Sequence, residues 1–270
     1  MNTLIKLGRL PVRHDARTLK LAKYLPQLPT PPPVCDWGAK VSVWGMCCND
    51  RLGCCTVSAI DHMLTGWIKN DTGVEFAVTD AQTVLAYSAI TGYNPKTGAN
   101  DNGAVELDVL NYWRNKGIAG KKILAYVKLA ENNADHLKIS CFLFGGVYIG
   151  VSLPLSAQGQ KLWDVVDDPI RSQPGSWGGH AIPIVGYNDV GPVCVTWGEL
   201  QPMTWAFFFK YCDEAYAIIS RDWTGTDDMA PCGFDFAQLA VDLAELNGQA
   251  SVESPSLWNR FKQWCKGVWG

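Results

Sequence analysis

The sequence predicts an α+β fold with helices leading and a β-rich half following, built as one large domain or two packed lobes. Three observations carry this. Between about residues 50 and 120, apolar side chains recur at steps of three and four, the period of a helix with a buried face. From about residue 122 they gather instead into short runs rich in β-branched and aromatic residues, which is the mark of strands. A 47% hydrophobic content in 270 residues supplies enough apolar surface for a sizeable core.

Residues 1–34 end in "YLPQLPTPPPV", whose prolines exclude a helix and favour extended polyproline structure, so this segment reads as an arm laid along the body. The main body of the chain, residues 35–246, follows. After the loop "NDRLG", Val57, Ile60, Leu64, Trp67 and Ile68 mark the first long helix, with one buried face. "DAQTVLAYSAITG" is a second helix closed by Gly92, and "AVELDVLNYWRNKGI" a third stopped by Gly117. The β lobe, to about residue 225, contains "ILAYVKL", "GGVYIGVSL", "HAIPIVGY", "VCVTW", "WAFFFKY" and "AYAIISR", all read as strands. "GYNDVGPV" joins two of them as a hairpin between His180 and Trp197. Residues 247–270 read as a polar linker and an amphipathic helix carrying Leu257, Phe261, Trp264 and Cys265 on one face.

A net charge of −3 with scattered Lys and Arg leaves no basic stripe, so nucleic-acid binding is not expected. No run approaches the roughly 18 apolar residues of a membrane span, and the N-terminus lacks the apolar stretch of a secretory signal. Cytoplasmic localisation follows as the default expectation, with membrane contact through the C-terminal helix a minor reading. The ten cysteines are then expected mostly as free thiols. The twelve tryptophans imply a firmly packed core, because each buried indole N–H needs a partner.

The candidate chemistry centres on Cys55. It stands at or just before a helix start, where unpaired N–H groups and the helix dipole favour a thiolate. Asn49, six residues upstream, is placed to present its amide near the sulfur as an oxyanion donor beside the Cys55 N–H, and Gly53 lets the loop turn before the helix. Of the four histidines, His180 follows "GSWGG" and begins an apolar strand, which puts it at a sheet edge as a candidate general base.

Asn49, Gly53 and Cys55 opening a helix, then "GGHAIPIVGYND", then "VTWG", resemble the papain-like cysteine peptidases over most of residues 35–222. The pattern is most similar to uncharacterised bacterial and phage proteins of that fold. The resemblance implies a two-lobed fold, a helical lobe and an antiparallel β-rich lobe, and a cysteine hydrolase acting on peptides or proteins, with Cys55 as nucleophile, His180 as its proton partner and Asn49 in the oxyanion position. It also implies a cleft lined by Gly53, Trp177, Gly179 and Trp197, and no cofactor or metal. Two departures stand out: Thr56 replaces the aromatic residue after the nucleophile, and Val195 occupies the place of the Asn that orients the histidine. Thr196 takes that orienting role if the hairpin shifts by one residue. With 54 residues ahead of Cys55, an inhibitory prosegment of the usual length is not expected.

Simpler readings stand beside these. A cysteine at a helix start is commonly a small apolar filler. Cys47, Cys48, Cys54 and Cys55 invite a zinc site, but adjacent cysteines are poorly placed to share a metal. A disulfide from Cys54 to Cys47 or Cys48 stays open, since the family commonly bridges near its nucleophile. The alternative function is a catalytically weak or inactive protein of this fold, serving a virion or another bacterial assembly and docking partners through its arm and C-terminal helix.

Overall fold

The computed structural model describes residues 5–25, 27–220, 223 and 236–246. The polar linker and the C-terminal amphipathic helix of the sequence reading lie outside them. Helices α1 (Leu21–Tyr24), α2 (Cys55–Thr72), α3 (Asp80–Thr91) and α4 (Glu106–Asn115) come first, with a short strand β1 (Cys35–Asp36) between α1 and α2. Strand β2 (Ala125–Lys128), helix α5 (Ala134–Phe144) and strands β3 (Val147–Leu153), β4 (Gly178–Tyr187), β5 (Pro192–Thr196) and β6 (Glu199–Pro202) follow. Helix α6 (Trp205–Tyr211), strand β7 (Cys212–Ile219) and helix α7 (Phe236–Leu246) complete the described chain.

The strands form one antiparallel sheet in the order β2-β7-β3-β4-β5-β6, with β1 extending it beside the end of β4. The fold is therefore mixed α+β, with helices mostly in the first half and the antiparallel sheet in the second. One apolar cluster lies within α2, α3 and α4, where Trp67 and Trp113 stack at 5.7 Å and the Trp67 indole donates to Gly145 O. A second fills the sheet side, built on β3, β4, β7, α5 and α6. No helix among the described residues is long and apolar enough to cross a membrane.

Local chemistry sets the helix ends. Thr79 and Gln82 form a reciprocal capping box at the start of α3, and Gly73 and Gly92 close α2 and α3 in the left-handed conformation that glycine adopts without strain. Two expectations are corrected. "WAFFFKY" forms α6 rather than a strand, because Thr204 caps it by accepting from Phe207 N–H, a nucleation signal that outweighs the aromatic preference for sheets. Helix α2 is buried from Cys55 to Trp67 on every side, not along one face, because β4 covers it on one side and α3 and α4 on another.

That enclosure traps a carboxylate. Asp61 accepts from Thr83 Oγ1 at 2.7 Å through one oxygen, while the other has no partner, and burial raises its pKa to about 7. The folded chain thus keeps a proton that the unfolded chain releases near pH 4 or so, and stability falls as pH rises from about 4 to about 7. Asp61→Asn is expected to be neutral at pH 4 and to gain on the order of 3 kcal/mol at pH 8. Urea unfolding at the two pH values checks this; an equal gain at both would assign the effect to something other than charge.

Candidate active site

The loop before α2 folds tightly because Cys47 and Cys48 both adopt positive φ, 49° and 61°, a conformation costly for residues with a Cβ. Asn49 N–H then donates to Met46 O, and Arg51 and Leu52 donate to Cys48 O. Gly53 N–H donates to Asp101 Oδ1 at 2.9 Å, tying this loop to the one before α4. Arg51 ion-pairs with Asp50 and with Asp80 at the surface. Helix α2 opens at Cys55, and the preceding Cys54 supplies no side-chain cap.

Cys55 is fully buried. Burial pushes its thiol up to about 11, while the backbone N–H groups of Ala181 and Gly8 at the sulfur pull the other way. The expectation that a helix start favours the thiolate is corrected here, because desolvation outweighs the local dipoles. Cys47, Cys48 and Cys54 are free thiols, so neither open disulfide is formed in this structure. Cys54 Sγ instead donates to Cys47 O.

His180 is the third residue of β4 and pairs with Val151 of β3. It sits on an inner strand, not at the sheet edge expected from its glycine-rich lead, because β3 and β5 flank β4. Its Nε2 meets Thr196 Oγ1 at 2.7 Å, and its ring stacks on Trp197 at 4.7 Å with 13° between planes. Trp163 and Trp177 back Trp197 from other sides. Val195, one residue before Thr196, packs with Trp44 and Val185, as alternation along a strand requires.

Nδ1 of His180 has no hydrogen-bond partner. Burial first, then the charges of His62 and Arg9, lower the imidazole pKa to about 3. Thiol and imidazole are therefore both neutral at pH 7, and no hydrogen bond joins them among the described residues. Asn49 is buried six residues from Cys55, with its side-chain Oδ1 unpartnered.

The N-terminal arm reaches the Cys55 sulfur. Gly8 N–H lies at the Cys55 sulfur, Gly8 O accepts from Ala104 N–H at 2.8 Å, and Leu10 N–H donates to Ala104 O at 2.9 Å. On the sheet side, Arg9 N–H donates to Gly179 O at 3.1 Å. The arm thus bonds to the segment before α4 on one side and to β4 on the other. Three glycines make the approach possible: a Cβ on Gly8 would stand 1.8 Å from Gly53 O, one on Gly103 2.0 Å from Gly8 O, and one on Gly179 2.4 Å from Arg9 O. The segment is short, yet it reaches Cys55 and bonds to the chain on both sides of it. It is also not wholly extended: Lys128 N–H donates to Leu19 O, and α1 then packs on α7 through Lys23 and Tyr24 to Asp242.

Cations of the arm pair with acids of the body, which sequence reading missed. Lys6 pairs with Asp101 and Arg13 with Asp108. Arg9 is buried among Glu106, Asp213 and Glu214: Nε lies 3.0 Å from Glu106 Oε1, and Nη2 donates to Glu214 Oε1 at 2.8 Å and to Asp213 Oδ1. Burial opposes the Arg9 charge, yet the three carboxylates together raise its pKa above the usual value. Basic residues at positions 6, 9 and 13 and acidic ones at 101, 106 and 108 were the available signal. Nothing local in the sequence pairs them. Among the described residues no group of three or more His, Cys, Asp or Glu is arranged to hold a metal.

Neither the known protein families nor the curated proteins contain a match to this sequence. Solved structures do match in shape. Xylellain, a cysteine protease from Xylella fastidiosa, superposes with a TM-score of 0.60 at 17% identity, covering 79% of this chain and 96% of that one. The fold is that of the papain-like cysteine proteases. Procathepsin B from Trypanosoma congolense (TM-score 0.54, 13% identity, 81% of this chain and 87% of that one) shares the papain-like fold. So does procathepsin L 3 from the larval midgut of Tenebrio molitor (TM-score 0.51, 11% identity, 79% of this chain and 76% of that one). At these identities the likeness is one of papain-like architecture.

Proposed function

We propose that the chain is a cysteine peptidase held latent by its own N-terminal arm. The observation that carries this reading is Gly8: its N–H lies at the Cys55 sulfur while its carbonyl is taken by Ala104. An arm that offers the nucleophile a donor, and turns that carbonyl to the cleft wall, is bound as an inhibitor rather than as a substrate. Such a contact has a purpose if the thiol underneath is reactive when uncovered.

Once the arm leaves, water reaches the sulfur and the imidazole, and both pKa values relax toward their ordinary range. The Cys55 S–H proton passes to His180 Nδ1, the ring nitrogen without a partner, and the thiolate adds to the substrate carbonyl carbon. The Asn49 amide and the Cys55 N–H receive the oxyanion. As the C–N bond breaks, His180 returns the proton to the leaving amine, and water then hydrolyses the thioester to release the acid and restore the thiol. Thr196 is the positioning residue, holding Nε2, and Trp197 shields that contact from solvent. Gly53, Gly179 and Trp177 line the cleft. Peptides or proteins are the substrates, and the chain needs no cofactor for this chemistry.

A cysteine-directed acyl probe applied to the arm-released chain tests the reading. Labelling at Cys55, lost in Cys55→Ala and weakened in His180→Ala, is the expected result; an arm-released, folded chain that stays unlabelled overturns it. Thr196→Val is expected to lower kcat by about tenfold, the worth of one hydrogen bond, with little change in KM. An unchanged kcat and pH profile would remove Thr196 from the mechanism.

One observation favours the second reading, a non-catalytic binding or structural protein such as a virion component. Cys55 and His180 are both fully covered, with pKa values displaced away from the charged pair. A permanently seated arm would then be part of the architecture, and the arm and C-terminal helix its docking elements.

A further inference from the structure

We propose that the cavity around the Arg9 side chain is a guanidinium-recognition pocket that selects ligands carrying arginine beside the residue over the nucleophile. For peptide substrates this rests on the peptidase reading; for binding alone it does not.

The pocket is built for a planar cation. Glu106 and Glu214 are buried and Asp213 closes the rim, so three carboxylates surround one guanidinium. Two are braced by groups that are not part of the arm: Tyr216 OH donates to Glu214 Oε2 at 2.8 Å, and Ser152 Oγ to Asp213 Oδ2 at 2.7 Å. Glu106 has no such brace. It is fully buried, its Oε1 lies 3.0 Å from Arg9 Nε, and neither of its oxygens has a hydrogen-bond partner outside the arm, so only the incoming cation compensates it. A buried carboxylate in that state raises its own pKa and disfavours an empty or apolar-filled pocket.

Shape adds to charge. Gly150 of β3 forms the floor, where a Cβ would stand 2.3 Å from Arg9 Nε and 2.5 Å from Glu106 Oε1. Its φ is one that any residue tolerates, so the need for glycine is steric and tied to the occupant. Arginine fits because its fork of donors meets several acceptors in a plane, which a lysine ammonium does not do. The arm's own residue is thus a ligand held in cis, one position along from the Gly8 that covers the sulfur. Removal of the arm leaves the same acceptors facing the cleft.

The test uses the full chain with Gly8→Leu, which displaces the arm, and a fluorescent peptide of residues 5–13 added in trans. The peptide is expected to bind, and the same peptide with citrulline in place of Arg9 to bind about thirtyfold more weakly or worse, as loss of charge-assisted hydrogen bonds implies. Gly150→Ala in the same background is expected to erase the difference. Equal binding of the two peptides, or no binding of either, overturns the proposal. If Gly8→Leu does not fold, full-length Arg9→Ala replaces it: agmatine must raise its Tm and must not raise that of Arg9→Ala/Gly150→Ala, and the absence of that contrast is equally fatal. Cleavage of a peptide library separates the two readings. Arginine-selective binding without cleavage keeps the pocket and removes the peptidase, whereas cleavage indifferent to arginine keeps the peptidase and removes the pocket.

Discussion

Replacing Gly8 with leucine in the full chain is expected to raise the alkylation rate of Cys55 by iodoacetamide at pH 7 about a hundredfold or more. Any Cβ at this position meets Gly53 O at 1.8 Å, a backbone atom that cannot swing aside. The arm must therefore lift, and the N–H it holds against the sulfur goes with it. A thiol pushed up to about 11 by burial is ionised in roughly one molecule in ten thousand at pH 7, against a few in a hundred for an ordinary thiol near 8.5. The sign follows from the raised pKa: reactivity in the parent chain climbs until the pH passes about 11, and in the variant the midpoint moves down toward the ordinary thiol value. Mass spectrometry resolves Cys55 from the other thiols. A folded Gly8→Leu chain whose Cys55 alkylates at the parent rate would mean that the arm is not what protects it.

Arg9→Met should cost about 3 to 5 kcal/mol of stability at pH 7, the range found when one partner of a buried ion cluster is removed. The methionine fills much of the same space but leaves Glu106, Glu214 and Asp213 to repel one another with no cation among them. Burial, then the nearby Glu214 charge, already holds the Glu106 pKa well above the carboxylate range, so acid relieves the variant by protonating it. The deficit relative to the parent is accordingly largest at neutral pH and shrinks as pH falls. Adding Glu106→Gln to Arg9→Met should recover part of the loss at pH 7. Urea unfolding of the four chains gives the coupling directly, and a deficit independent of pH would point to lost packing instead of lost charge compensation.

Both expectations depend on contacts that join distant parts of the chain. Arg9 meets carboxylates 97, 204 and 205 positions away, and Gly8 meets Gly53 and Ala104. No periodicity or motif encodes such pairings, because each segment's own sequence is compatible with many partners. The same limit explains two smaller misreadings. A strand that follows glycines looks like an edge strand, yet whether β4 is inner or outer depends on where β3 and β5 fold back. A helix with an apolar stripe looks half-exposed, yet α2 is enclosed by elements that come much later. The aromatic run of α6 differs for a local reason: composition favours a strand, whereas the Thr204 cap starts a helix.

What the sequence determined by itself is local or set by order along the chain. The start of α2 at Cys55, the closure of α3 at Gly92, the antiparallel pairing of β4 with β5 and the change from helices to sheet all follow from periodicity, turn residues and backbone freedom. The tertiary structure alone decided that the arm reaches Cys55, that burial keeps both Cys55 and His180 neutral, and that three acids converge on Arg9. Desolvation and ion pairing act through space, and their strength is fixed only when the whole chain has excluded the water around them.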